Sequence, residues 1–343
     1  MRKFLALLIT FLLIAALSWL LPERHGVPYP KPLGPQLSPY ARQSYRLDIE
    51  ARQPDLVLLG DSLLQLGVDG VALADKLGRP VYRITVPGSA SAAWYLIARH
   101  NIVTATTPPQ MLIIFFRDSL LTAPGYRVHG NYYTDIVYEN TAPDDSLFIQ
   151  YSFIDLMSPA ERLAEQYLPL YGQRLDVREA IDYRLRYTPP GLALACNMDC
   201  TNLAMDNVFN ANNLETGTLS DAVAAAESYL YTPDNLDFNS RIEHSFLPEI
   251  IRLTRERGIR LVLVRFKTLI FPDAASQPAD LQAYMRDLRD YLAANDVPLL
   301  DYSGDTRIRA DFYFDPFHMT TTGQAIFTEI LAADLQPLLD EIP

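Results

Sequence analysis

The sequence predicts an α/β protein: a doubly wound, mostly parallel five-stranded sheet, broken by a large, mainly helical insertion and preceded by an N-terminal transmembrane helix. Three observations lead there. Short apolar runs alternate with stretches of helical period near both ends of the chain, residues 119–239 between them have a different character, and the first residues after a basic pair are uninterruptedly apolar. Strands that alternate with helices must run parallel, since each crossover returns the chain to the same end of the sheet, and the helices then cover both faces.

The elements follow in chain order. Arg2 and Lys3 precede Phe4–Leu21, a run without a charge. A helix over that run would be about 27 Å long, close to a bilayer's hydrocarbon core, with the basic end held inside and the remainder exported. The competing expectation is a cleaved signal peptide, because Ala16-Leu17-Ser18 offers small residues at a peptidase's spacing. Gly26–Pro39 holds five prolines in fourteen residues and reads as an extended stalk. A helix is expected over Tyr40–Gln53, then a buried strand over Asp55–Leu59 stopped by Gly60. Pro80–Val86 is a second strand, Ser91–His100 a helix, and Met111–Phe116 a third strand. The pattern resumes with a helix over Ser245–Arg257, a strand over Ile259–Phe266, a helix over Ala279–Ala294, a strand over Val297–Asp301 and a last helix from Thr321 to Leu335.

The domain expectation is therefore an anchor or signal peptide at 1–25, a stalk at 26–39, an α/β domain formed by 40–118 and 240–343, and an insertion at 119–239. The insertion is rich in Tyr, Asn, Asp and Pro, with helical patches such as Ser158–Tyr167. It leaves the end of a strand, the edge where open α/β sheets keep their ligands, and so reads as a lid or acceptor-binding region, or as a helical decoration.

Composition closes several avenues. Lys plus Arg number 29 against 41 Asp plus Glu, a formal charge of -12, so no broad cationic surface exists for nucleic acid. Two cysteines, Cys196 and Cys200, exclude a four-thiolate zinc site. With only three residues between them and in an exported chain, they are expected to form a disulfide, with free thiols or a redox or metal role as the alternatives. No metal and no cofactor is expected, since beyond scattered acids no His-x-His or paired-Asp ligand spacing appears.

The chemistry-bearing residues sit at the ends of the framework. The first strand runs into Gly60-Asp61-Ser62, placing Ser62 at the C-terminal edge of a central strand. A serine hydroxyl needs a base within hydrogen-bond reach. Of five histidines, His25, His100, His129 and His244 have no acidic residue at an orienting spacing. His318 does. In Asp315-Pro316-Phe317-His318 a carboxylate three residues ahead can hold the imidazole Nδ1 proton and leave Nε2 to the serine. A Gly-Asp-Ser tripeptide alone arises by chance in roughly one chain in ten of this length. The pairing of both motifs at opposite ends of a doubly wound framework carries the weight. The α/β-hydrolase elbow is disfavoured, because Leu64 stands where its second glycine belongs.

At these residues the sequence resembles the SGNH hydrolase superfamily, the GDSL esterases and lipases. The resemblance covers about 54–118 and 245–337 and implies a flavodoxin-like sheet. Val57-Leu58-Leu59-Gly60-Asp61-Ser62-Leu63 looks like the first block, and Asp315 with His318 like the last, which would make Ser62 the nucleophile, His318 the base and Asp315 the orienter. Pro87-Gly88-Ser89 matches the second block, so the Gly88 N–H would help the Ser62 N–H hold the oxyanion; an ordinary turn glycine is the alternative. The third block departs from the pattern. The family has an oxyanion-holding Asn after its third strand, whereas this chain has Phe116-Arg117-Asp118. Arg117 then substitutes as a charged donor, grips an anionic substrate group, or forms a salt bridge with Asp118 or a neighbour. Arg265, at the end of the fourth strand, carries the same choice between substrate binding and a salt bridge.

The implied function is extracytoplasmic, serine-dependent acyl transfer: O-acylation or deacylation of a cell-envelope or secreted polysaccharide. The implied partners are the membrane and a multispanning membrane-bound O-acyltransferase. The alternatives are a lipase or thioesterase, and a non-catalytic carbohydrate-binding or scaffold protein on a degenerate SGNH fold.

Overall fold

The computed structural model describes residues 2–20, 28–37, 41–130, 132–208, 228–271 and 273–341. They form two compact units, one of 1–35 with 154–227 and one of 36–153 with 228–343. Residues 119–153 and 228–239, expected in the insertion, thus belong to the unit that carries the sheet.

In that larger unit, Ser44–Arg52 forms helix α1 and Leu56–Gly60 strand β1. Helices α2 (Ser62–Gly67) and α3 (Gly70–Leu77) lead to β2 (Val81–Thr85). Helix α4 (Ser91–Ile97) continues as a π-helical turn at Ala98–Ile102 before β3 (Met111–Phe116). Beyond residue 228 come α5 (Leu247–Glu256), β4 (Arg260–Arg265), α6 (Ala279–Ala294), β5 (Leu299–Asp301) and α7 (Thr321–Asp340). The sheet has the order β2-β1-β3-β4-β5 and every pairing is parallel. That order reverses direction between β1 and β3, which puts the topological switch point, and the crevice where such sheets bind ligands, at the carboxyl end of β1.

Strand side chains alternate between two cores. Val57 and Leu59 of β1 join Leu112, Ile114, Leu261 and Leu263 in a core covered by α1, α4, α5 and α6. Leu56 and Leu58 face the other way, with Ile113, Phe115, Val262 and Val264, beneath α2, α3 and α7. Burial on both faces explains why β1 and β3 read as unbroken apolar runs rather than alternating ones. The last helix continues past the expected Leu335, and through Pro337, because Leu335 and Leu339 both remain on its buried face.

The other unit is helical where described: Pro159–Tyr167, Pro169–Gly172, Arg174–Leu194 and Met198–Val208 accompany the N-terminal helix Arg2–Ser18. Ser158 caps the first of these, accepting from the Glu161 N–H, while Glu161 accepts in return from the Ser158 N–H. The transmembrane helix expected over Phe4–Leu21 is corrected to a shorter one. After Ser18 the Trp19 N–H reaches back only three residues, to the Ala16 carbonyl at 3.2 Å, tightening the final turn. Among the described residues no helix is long and apolar enough to cross a membrane. Part of the expected stalk is tied down rather than free: the Lys31 N–H donates to the Gln166 carbonyl at 3.1 Å, and Lys31 Nζ pairs with Glu165 at 2.5 Å. Leu21, residues 26–27 and 38–39 of the stalk, Tyr40, and residues 131 and 209–227 of the insertion lie outside the described residues. Cys196 and Cys200 are joined as a disulfide.

Candidate active site

Ser62 stands where β1 gives way to α2, and three local features fix it there. Gly60 leaves little room for a side chain: a Cβ would meet Leu64 Cβ at 3.0 Å and Phe115 Cβ at 3.1 Å, so both would have to give way. Asp61 is the N-cap of α2, its Oδ1 accepting from the Leu63 N–H at 2.9 Å. The Gly60 carbonyl accepts from the Val86 N–H at 3.0 Å, bringing the turn after β2 alongside.

His318 arrives from a tight loop ahead of α7. Tyr313 and Met319 form an antiparallel bridge across it, the Phe314 N–H donates to the His318 carbonyl at 3.1 Å, and the Thr320 N–H donates to the Phe312 carbonyl at 2.7 Å. Two anchors reach the stretch that follows β4: the Tyr313 hydroxyl donates to the Lys267 carbonyl at 2.8 Å, and the Leu269 N–H donates to the Pro316 carbonyl at 2.7 Å. Inside the loop, Asp315 Oδ1 accepts from the N–H groups of Phe317 at 2.7 Å and His318 at 2.8 Å.

The three side chains meet in a continuous chain. Asp315 Oδ2 lies 2.7 Å from His318 Nδ1, and His318 Nε2 lies 2.9 Å from Ser62 Oγ. A carboxylate at Nδ1 requires the proton there, which leaves Nε2 as the acceptor of the serine hydroxyl. Burial alone would push the Asp315 carboxyl up, but the hydrogen bonds from the His318 ring and from the Phe317 and His318 backbone outweigh it and hold it below the ordinary carboxylate value. Asp61 goes the other way: burial raises it, against the opposing pull of the Arg117 guanidinium, the Leu63 N–H, and the charges of Arg127 and His318. The His318 and Asp315 side chains keep 25% and 35% of their surface in solvent, so a substrate can reach the chain.

Gly88 occupies the turn after β2 with φ of +78°, a conformation that glycine adopts without strain. A Cβ there would stand 3.1 Å from Arg127 Nη1 and 3.2 Å from Tyr132 Cε1. The turn is braced from below, where the buried Trp94 indole N–H donates to Ser89 Oγ at 2.9 Å.

The two arginines part ways. Arg117 is 4% exposed and lies on the triad side: its guanidinium stacks over Phe317 at 5.1 Å, its Nη2 is 3.5 Å from the Tyr126 hydroxyl, and its charge acts on Asp61. It does not take up Asp118. That carboxylate pairs instead with Arg265, Nη2 to Oδ1 at 2.7 Å, and accepts from the Tyr231 hydroxyl at 2.6 Å. Arg265 also bonds Ser303 Oγ at 3.0 Å and Gln277 Oε1 at 3.2 Å and lies 3.5 Å from Asp301. Of the two roles expected of Arg265, the structure shows the salt bridge: its terminal nitrogens join the ends of β3, β4 and β5.

Some features had no signal in sequence. Arg127 reaches Gly88 from the segment read as insertion, lying over the Tyr126 and Tyr132 rings at 5.0 and 4.9 Å. Its backbone φ of +56°, unusual for a residue with a side chain, cannot be read from composition. His100 has a carboxylate partner after all, Asp145, 2.8 Å from Nε2, supplied from far along the chain. It borders a separate surface cavity of about 440 Å³, lined also by Arg99, Asp144 and Leu253. Among the described residues no group of three His, Cys, Asp or Glu is placed to hold a metal ion.

No family model and no curated protein matches the chain. Solved structures do resemble it. A candidate acylhydrolase from Bacteroides fragilis is 11% identical over 87% of this chain and 99% of its own, with a TM-score of 0.39. An acetyl xylan esterase is 10% identical over 82% and 98%, with a TM-score of 0.38. A GDSL-like lipase from Bacteroides thetaiotaomicron is 12% identical over 82% and 88%, with a TM-score of 0.35.

Proposed function

We propose that the larger unit is a serine-dependent acyl hydrolase or acyltransferase of the SGNH type. The observation that carries the reading is the unbroken chain Ser62–His318–Asp315 at the switch point of a parallel sheet. Ser62 Oγ attacks an ester carbonyl as His318 Nε2 takes its proton, and Asp315 steadies the imidazolium that forms. Negative charge develops on the carbonyl oxygen, where the N–H groups of Ser62 and Gly88 act as donors and Arg117 supplies positive charge in place of the family's asparagine. The alcohol leaves with the proton from Nε2. Water or a second hydroxyl, deprotonated by His318, then takes the acyl group from Ser62.

The chain acts outside the cytoplasm. The basic pair before an apolar run supports export, and the bonded Cys196–Cys200 pair fits an oxidising compartment. The substrate is an O-acyl ester of a cell-envelope or secreted polysaccharide; in the transfer direction a multispanning membrane-bound O-acyltransferase supplies the acyl group.

Incubating the purified chain with an acetylated oligosaccharide, and separately with an activated acetyl ester plus the unmodified oligosaccharide, tests this. Release of acetate or appearance of acetylated sugar is expected, and both should vanish in Ser62→Ala. Turnover that survives the substitution would remove the reading.

A further inference from the structure

The loop that brings in His318 also carries Phe314, and this ring is 62% exposed while its neighbours Phe312 and Tyr313 are 9% exposed. Lone exposed apolar side chains need no explanation. Phe314 differs in how it is held. Its N–H is bonded to the His318 carbonyl at 3.1 Å, beside the Tyr313–Met319 bridge, so the main chain holds the two residues side by side. The two rings lie nearly parallel, 18° apart with centroids at 5.9 Å. Phe314 therefore lies beside the imidazole, offset from it, with most of its side chain in solvent.

The chemistry decides which half of a substrate meets it. His318 Nε2 returns its proton to the departing alkoxide, so the alcohol half of the ester must sit beside His318. The carbonyl oxygen points away from it, toward the Ser62 and Gly88 N–H groups on the β2 side. A group stacked on the imidazole lines the alcohol half of the site.

On the reading of the triad given above, we infer that Phe314 is a specificity-determining residue for the alcohol, and that this alcohol presents a flat C–H face of ring size, as a pyranose does. A rigid aromatic face covers such a ring at little entropic cost, whereas a flexible alkyl alcohol would have to be ordered against it.

The test compares two acetyl esters that differ only in the alcohol: a mono-acetylated methyl pyranoside and a straight-chain alkyl acetate of similar size. With the acyl group constant, the ratio of their kcat/KM values isolates the alcohol. In Phe314→Ala and Phe314→Leu the ratio should fall about fivefold, mostly through KM for the pyranoside, and Phe314→Tyr should restore it. A parallel loss on both esters would make Phe314 a support for the imidazole and overturn the inference. So would a fall confined to the alkyl ester, which would point to a lipid alcohol. Fluorophosphonate labelling of Ser62 in the same preparations separates the two levels: labelled protein with an unmoved ratio fails this inference alone, and unlabelled parent protein fails the triad reading beneath it.

Discussion

Ser62, His318 and Asp315 form a hydrogen-bonded chain, yet the residue whose burial is most telling stands beside them. Asp61 caps α2 through its bond with the Leu63 N–H, and it does so from a buried position. Burial favours its neutral acid, with Arg117 opposing, so its pKa stands above the ordinary 3.8. A group raised on folding contributes stability that is complete below its unfolded pKa and lost as pH rises through the folded one. Asp61→Asn keeps the cap acceptor and is neutral at every pH. Urea unfolding should therefore find it at least as stable as the parent at pH 8, with the difference shrinking as pH falls toward 4. Asp61→Ala, which removes the cap, should lose about 1 kcal/mol at both pH values. A parent that is the more stable of the two at pH 8 would show that Arg117 outweighs burial.

At the scale of elements, the proposed chemistry rests on two turns and a loop at the carboxyl edge of the sheet. The framework was legible because strands buried on both faces leave short apolar runs such as Met111–Phe116, and because Gly60 and Gly258 punctuate them. The Ser62 and His318 motifs were legible for the same reason, each abutting a well-marked element. What could not be read were partners supplied from a distance. Arg265 finds Asp118, His100 finds Asp145, and Arg127 comes to Gly88 across long stretches of chain. The limits of the sheet unit were also hidden, since residues 119–153 lack the periodicity of a core element. The Phe312–Thr320 loop depends on bonds to the stretch following β4, above all the buried Tyr313 hydroxyl on the Lys267 carbonyl. Tyr313→Phe should cost about 1 kcal/mol in unfolding and slow acylation of Ser62, leaving KM nearly unmoved. A change in KM alone would mean that the bond does not position His318.

Over the whole molecule, the proposed chemistry lies within one unit and the Cys196–Cys200 disulfide within the other. Because the bond closes a very short loop, it removes little entropy from the unfolded chain. Cys196→Ser with Cys200→Ser should cost about 2 kcal/mol or less. Thermal unfolding should shift modestly, and ester turnover should persist; lost turnover would tie the helical unit to the chemistry. The formal charge of -12 belongs to the chain as a whole, while Arg117 and Arg127 place positive charge around Asp61, so the site opposes the net field where an oxyanion would form. The most direct measurement is covalent. A fluorophosphonate probe, which reports only an activated serine, should label the full chain at Ser62 by peptide mapping, and labelling should be abolished in Ser62→Ala and His318→Ala. Labelling that persists in Ser62→Ala, or a folded parent that takes up no probe, would contradict an activated Ser62.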